Sequence, residues 1–201
     1  MIAWSIEIAK KAGCFDSIIV STDDLEVKKI ASQYGAQIPF IRPSELSGDC
    51  TGTKAVIVHA IKTLGLDKKP DTPICCLYAT APFTQADDLD KSHSILQSSN
   101  KKTVIFAATS FAFPVQRAIR INENGYSQPV DINAAESRSQ DLEPLFHDAG
   151  QFYLARASTW NSISNIFNFG RPLILPRWRV QDIDTEEDWI RAEFMHKALF
   201  T

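Results

Sequence analysis

The sequence predicts an α/β domain of three layers, α/β/α, with helices covering both faces of a mostly parallel sheet. Two observations carry this. Short apolar runs alternate along the chain with segments of helical period. Those runs are continuously apolar, the pattern of strands buried on both faces. The 201 residues suffice for one substantial core and contain no internal repeat or low-complexity linker, so residues 1–201 are read as a single domain.

In chain order, Ile2, Ile6 and Ala9 share one helical face and Gly13 suits that helix's end. Ser17-Ile18-Ile19-Val20-Ser21 reads as a short buried strand ending at Thr22-Asp23-Asp24. A second helix runs through Leu25, Val27, Ile30 and Ala31 to Gly35, and a second strand spans Gln37 to Ile41. The polar loop Arg42 to Gly52 leads to a helix from Lys54 to Leu64 with Val56, Ile57, Ala60, Ile61 and Leu64 on its apolar side. Pro73-Ile74-Cys75-Cys76-Leu77-Tyr78 reads as a central strand, left by the loop Ala79-Thr80-Ala81-Pro82-Phe83. Asp87 to Gln97 is helical and Thr103 to Ala108 is another apolar strand. Residues 110–148 break the pattern with irregular stretches, prolines and an Asn124-Gly125 hairpin signal, and are read as a β-rich excursion from the sheet. A strand at Gln151 to Leu154, a helix near Ala157 to Ile163, a strand at Leu173 to Leu175 and a last helix from Thr185 to about Leu199 complete the chain. Ligands of such sheets bind at the carboxyl ends of the strands. Polar residues gather in the segments expected there: Thr22 to Asp24, Arg42 to Thr53, Ala79 to Phe83 and Arg177 to Asp184.

Composition narrows the function. With 44% hydrophobic and 22% charged residues and a net charge of −3, nothing points to nucleic acid or a membrane surface. No apolar run approaches a bilayer span, and the N-terminus lacks a signal-peptide pattern. Cys14, Cys50, Cys75 and Cys76 show no C-x-x-C spacing, which fits reduced thiols in a cytoplasm. The four histidines lie far apart, and of them only His147 is a candidate for more than a structural or surface role.

The most informative stretch is Val180-Gln181-Asp182-Ile183-Asp184-Thr185-Glu186-Glu187-Asp188-Trp189. Asp182 and Asp184 lie two apart in an extended lead-in, so both carboxylates project to one side. Thr185 or Asp184 suits a helix N-cap, with acids in the first turn. Two hard oxygen ligands at a strand-to-helix junction suit Mg²⁺, which completes its shell with phosphate and water. Taken alone, the stretch also fits a well-capped acidic helix start without a metal.

Three blocks in order extend the pattern: Phe15-Asp16-Ser17-Ile18-Ile19-Val20-Ser21-Thr22-Asp23-Asp24, Arg42-Pro43-Ser44-Glu45-Leu46-Ser47-Gly48-Asp49, and Asp182-Ile183-Asp184-Thr185-Glu186-Glu187-Asp188. Together they resemble the cytidylyltransferases that activate nonulosonic acids, the CMP-sialic acid synthetase family. Tyr78-Ala79-Thr80-Ala81-Pro82-Phe83 and His147-Asp148-Ala149-Gly150-Gln151-Phe152-Tyr153 resemble its pseudaminic acid branch, and the likeness runs from Met1 to the last helix. The resemblance implies a nucleotide-diphospho-sugar transferase type of fold. It also implies attack of the sugar's anomeric hydroxyl on the α-phosphorus of CTP, giving the CMP-sugar and pyrophosphate. Such a transfer is catalysed mainly by positioning and charge neutralisation.

The same resemblance assigns roles. Asp182 and Asp184 would hold Mg²⁺, with Asp184 the more important ligand and a candidate to assist deprotonation. Arg42 would approach the cytidine, while Asp49 would either orient that arginine or cap the following helix. Ala79, Thr80 and Pro82 would line the nucleotide. Tyr78 stands where sialic acid enzymes carry a glutamine, and Gln151 and Tyr153 would face the sugar. The excursion, 110–148, would pair with its twin in a homodimer, bringing Arg138 to the substrate carboxylate and Phe167 across to the neighbouring site.

Family members begin with a buried strand and a loop rich in Gly, Arg, Ser and Lys that wraps the triphosphate. Met1 aligns about 20 residues into that pattern, after the loop, and no G-x-G-x-x-G or Walker sequence replaces it. The chain is therefore expected to be an N-terminally truncated form with unpaired strand edges. It would lack contacts of about 1.5–3 kcal/mol each and be impaired or inactive with CTP. Two other readings stay open: the same reaction on sialic, legionaminic or 3-deoxy-manno-octulosonic acid, and a non-catalytic dimeric nucleotide-sugar binding module. A phosphatase reading of Asp182-Ile183-Asp184-Thr185 is discounted, because one helix leaves no room for the elements needed downstream.

Overall fold

The computed structural model describes the backbone of residues 1–200 and the side chains of residues 1–199. α1 (Ile2–Lys11) buries Ser5, Ile6 and Ala9 and ends at the extended Ala12, one residue before the glycine expected to close it. α2 (Leu25–Gln33) starts on Asp24, whose carboxylate accepts from the N–H groups of Glu26 and Val27. That cap satisfies two of the helix's orphan donors. The helical expectations farther on hold within a residue or two: α3 (Thr53–Thr63), α4 (Ala86–Gln97), α6 (Ala157–Ser162) and α7 (Glu186–Phe200). The strands are β1 (Pro73–Leu77), β2 (Val104–Ser110), β5 (Phe146–Arg156) and β6 (Gly170–Ile174). Between β2 and β5 lie the hairpin β3 (Ile119–Ile121) and β4 (Ser127–Pro129), then the short α5 (Ile132–Glu136).

The four-stranded sheet has the order β1-β5-β2-β6. β2 and β6 are parallel, whereas β5 runs against both β1 and β2. Three of the four strands thus share one direction. β5 departs because the excursion returns the chain to the end of the sheet it had left, Phe146 pairing with Ser110, so β5 has to run back along β2. Two expectations change. β1 pairs only with β5 and stands at the edge of this sheet, not in its centre. The two segments expected as strands at 17–21 and 37–41 make a single parallel bridge, Ile19 to Gln37. They pair with each other alone, and isolated two-strand pairing is marginal.

Helices cover both faces. On one, Ile61 of α3 and Ala157 and Trp160 of α6 pack on Val104, Phe106, Tyr153 and Ala155. On the other, Ile8 and Ala12, in and after α1, and Leu89 of α4 pack on Cys75, Leu77, Ala107 and Phe152. The indole N–H of fully buried Trp160 donates to the Ile74 carbonyl at 3.0 Å, which lets a polar aromatic sit in the core.

In β1 the even residues bond to β5, as the Tyr78 N–H to Gln151 carbonyl bond shows. Cys75 and Leu77 therefore turn their N–H and C=O groups the other way. A cleft of about 440 Å³ opens on that side, bounded by residues 17–21, by α1 and by α3.

Candidate functional site

At the carboxyl end of β1 the cleft is lined by Arg42, Thr53, Tyr78 and Ala79. The Arg42 guanidinium is held by Asp23 at 3.1 Å and by the Ser47 hydroxyl at 3.2 Å. Asp23 lies below the usual carboxylate range, chiefly through its own main-chain N–H and next through Arg42. Asp49 has neither of its two expected roles. Arg42 takes its orientation from Asp23 and Ser47, and α3 begins at Gly52 without a side-chain cap. The physical reason is distance along the loop: the Pro43–Ser47 turn folds Ser47 back onto Arg42 before Asp49 is reached.

The second half of the site lies around Asp182. The β2–β5 register slips here: Phe106 pairs with Tyr153 but Ala108 pairs with Asp148, so residues 149–152 bulge opposite Ala107. Bulges re-aim side chains next to sites. Gly150 sits in this one with φ +62°, and a Cβ on it would stand 3.1 Å from the Asp182 carboxylate. Only glycine allows both that backbone and that approach. Asp182 is raised above the ordinary carboxylate value, first by burial, then by the neighbouring charges of Asp184, Asp148 and Asp188. Ile183 turns into an apolar groove with Trp4, Pro82, Phe83 and Trp189. Asp182 packs against the bulge instead, and Asp184 stands in a bend two residues on, near enough for its charge to act on Asp182.

The helix that follows is closed by a reciprocal cap. Thr185 accepts from the Asp188 N–H, and the Asp188 carboxylate accepts from the N–H groups of Asp184 and Thr185 and from the Thr185 hydroxyl. These bonds hold Asp188 below the usual carboxylate range, the Thr185 hydroxyl contributing most. The Thr185 N-cap matches expectation.

Tyr78 joins the two halves. Its hydroxyl lies 2.6 Å from that of Thr53, and its ring meets Tyr153 edge-on at 5.7 Å. The Tyr153 hydroxyl donates to Asp148, whose other oxygen accepts from the Gly150 N–H. Burial raises both phenols, Tyr153 further because it donates to Asp148. Both tyrosines are thus neutral donors at any physiological pH.

Other expected residues fall elsewhere. Gln151 is fully buried, its amide already bonded to the Thr84 hydroxyl and the Arg179 carbonyl, which leaves it inside the scaffold and away from any sugar. Pro82 lines the apolar groove on the other side of its loop, and Thr80 is exposed. Arg138 is exposed in the excursion and pairs with Asp141 at 3.1 Å. Phe167 is half exposed with its ring edge-on to Phe106. Sequence reasoning did not single out Thr53, Asp23, Asp148, Asp88 or Arg179. The run Asp148-Ala149-Gly150 was the available signal, since a glycine two residues after a carboxylate marks a turn that can present it.

A family model for cytidylyltransferases matches residues 1–187. The chain belongs to the cytidylyltransferase family. This cytidylyltransferase is 39% identical over 200 residues to the pseudaminic acid cytidylyltransferase of Campylobacter jejuni subsp. jejuni serotype O:2, a match covering 98% of this chain and 85% of that one. A Helicobacter pylori protein, described as pseudaminic acid cytidylyltransferase and UDP-2,4-diacetamido-2,4,6-trideoxy-beta-L-altropyranose hydrolase, is 29% identical over 184 residues. That match covers 91% of this chain and 35% of that one. Among solved structures, CMP:2-keto-3-deoxy-manno-octonic acid synthetase complexed with CTP superposes with a TM-score of 0.67 over 98% of this chain and 88% of that one. At 13% identity the likeness is one of fold.

Proposed function

We propose that this cytidylyltransferase transfers CMP from CTP to the anomeric hydroxyl of pseudaminic acid and releases pyrophosphate. The observation that carries the reading is the meeting of two half-sites at Tyr78: a cleft with an oriented arginine, and Asp182 packed on the β5 bulge with the Asp184 charge beside it. The 39% identity to a pseudaminic acid cytidylyltransferase supports the choice of sugar. In the transfer the hydroxyl oxygen bonds to the α-phosphorus, the bond from that phosphorus to the bridging oxygen of pyrophosphate breaks, and the hydroxyl proton leaves. Arg42, fixed by Asp23 and Ser47, is a rigid fork for the nucleotide. Tyr78 and Tyr153 would offer hydroxyls to the sugar, and Asp184 would take the proton.

The carboxylate pair fits Mg²⁺. Among the described residues no three acidic, histidine or cysteine side chains gather to hold a metal alone, and one or two carboxylates are what Mg²⁺ takes from protein beside phosphate. The mutual repulsion that raises Asp182 is what a bound cation relieves. Held by Asp182 and Asp184, Mg²⁺ would neutralise phosphate charge and acidify the attacking hydroxyl.

Among the described residues Arg42 is the only charged side chain lining the cleft, and weak CTP binding with slow turnover is the expected outcome. The four cysteines are free thiols, three of them at least partly buried, which supports a reducing, cytoplasmic setting. Pairing of the excursion into a homodimer is supported by its exposed apolar side chains, Phe113, Ile119, Ile121, Tyr126 and Val130. The test is pyrophosphate release with CTP, Mg²⁺ and a panel of sugars. Release with pseudaminic acid and not with N-acetylneuraminic or legionaminic acid is expected. Release with another member of the panel alone overturns the choice of sugar.

A further inference from the structure

We propose that Asp88 and Arg179 are positioning residues: their buried ion pair sets the stretch leading to Asp182 against the β5 bulge and so fixes where the Asp182 carboxylate points. The inference rests on the reading of Asp182 as part of the transfer site. The pair is bidentate, Arg179 donating to the two Asp88 oxygens at 2.8 and 3.1 Å, with side chains only 9% and 6% exposed. Asp88 is itself oriented by the Gln85 N–H at the start of α4. The other end of the same arginine is gripped through its carbonyl, which accepts from the Gln151 amide at 2.7 Å, and Gln151 in turn accepts from the Thr84 hydroxyl. The bonds close a ring: Arg179 side chain, Asp88, the 84–85 turn, Gln151, Arg179 main chain.

This ring joins the start of α4, β5 and the loop before α7. Gln151 is adjacent to Gly150, against which the Asp182 carboxylate packs. Residues 179 and 182 of one segment are thereby registered on residues 151 and 150 of the other. A buried ion pair adds little net stability over an apolar pair of equal volume, and its best-attested use is to fix register. The planar guanidinium fork suits that use because it admits one geometry.

The test compares wild type with Arg179→Lys and with the double isostere Asp88→Leu/Arg179→Met, which removes both charges together and leaves neither buried alone. Far-UV circular dichroism reports folding, electron paramagnetic resonance reports Mn²⁺ affinity, and steady-state kinetics separate kcat from KM for the sugar. Folded variants with Mn²⁺ affinity and kcat reduced about 10- to 100-fold, and KM for the sugar within about twofold, are expected. Folded variants with wild-type Mn²⁺ affinity and kcat overturn the proposal. If the double variant does not fold, Arg179→Lys decides by the same two readouts. Asp182→Asn is the control that separates the two claims. If it too keeps wild-type Mn²⁺ affinity and kcat, the reading of the site has failed. If it loses both while the ion-pair variants keep them, the positioning claim alone has failed.

Discussion

Two residues at the β5 bulge, Gly150 and Asp182, constrain each other. Gly150 combines a φ of +62° with a carboxylate 3.1 Å from where a Cβ would stand. Gly150→Ala should destabilise the chain by about 1–3 kcal/mol, measured by urea denaturation, and lower kcat as well, because Asp182 must move. Asp182 makes a second prediction. Burial and three neighbouring acids raise it, so the folded state holds this proton more tightly than the unfolded chain does. Its contribution to stability is full below the ordinary carboxylate range and is lost as pH rises through the raised value. Asp182→Asn should therefore raise Tm at pH 7, with the gain shrinking as pH falls toward 4, while abolishing turnover. An unchanged or lowered Tm at pH 7 would refute the assigned electrostatics. Asp182 and Asp184 were legible as neighbours because two residues of spacing is local. Asp88 and Arg179 were not, because they lie 91 residues apart and only the fold brings them together.

At the scale of elements, local chemistry decides the ends and tertiary packing decides the directions. Thr185 and Asp188 cap α7 as their spacing implies, and Thr185→Ala should cost about 0.5–2 kcal/mol, read from thermal or urea melts. The helices were legible because an apolar stripe of period 3.6 and a cap are written within a dozen residues. β5 was not: its apolar run reads the same whether it lies parallel or antiparallel to its neighbours. Its bulge depends on Ala107 of another strand. The 17–21 and 37–41 segments have strand composition, yet they pair only with each other. Composition reports burial and says nothing about whether a partner edge is within reach. The buried ring around Arg179 makes α4, β5 and the loop before α7 one cooperative unit. Arg179→Ala leaves Asp88 buried without its partner and should cost about 3–5 kcal/mol, well above a surface substitution.

For the whole molecule, the α/β layering is the part of the fold that the sequence conveys most fully, since continuous apolar strands between amphipathic helices admit few other arrangements. The exposed apolar side of the excursion sets the expectation for assembly. Sedimentation velocity should give a dimer, and Ile121→Asp, at an exposed position on β3, should shift it to monomer without changing the far-UV spectrum. A monomeric wild type would contradict the proposed pairing. The central claim is that this molecule makes a CMP-sugar with Asp184 at the reacting centre. The most direct measurement is ³¹P NMR of CTP, Mg²⁺ and pseudaminic acid incubated with wild type and with Asp184→Asn. Wild type should convert the α-phosphorus signal to a phosphodiester with equal pyrophosphate, slowly, and the variant should do neither. No phosphodiester with folded wild type, or formation at the same rate with Asp184→Asn, would contradict it.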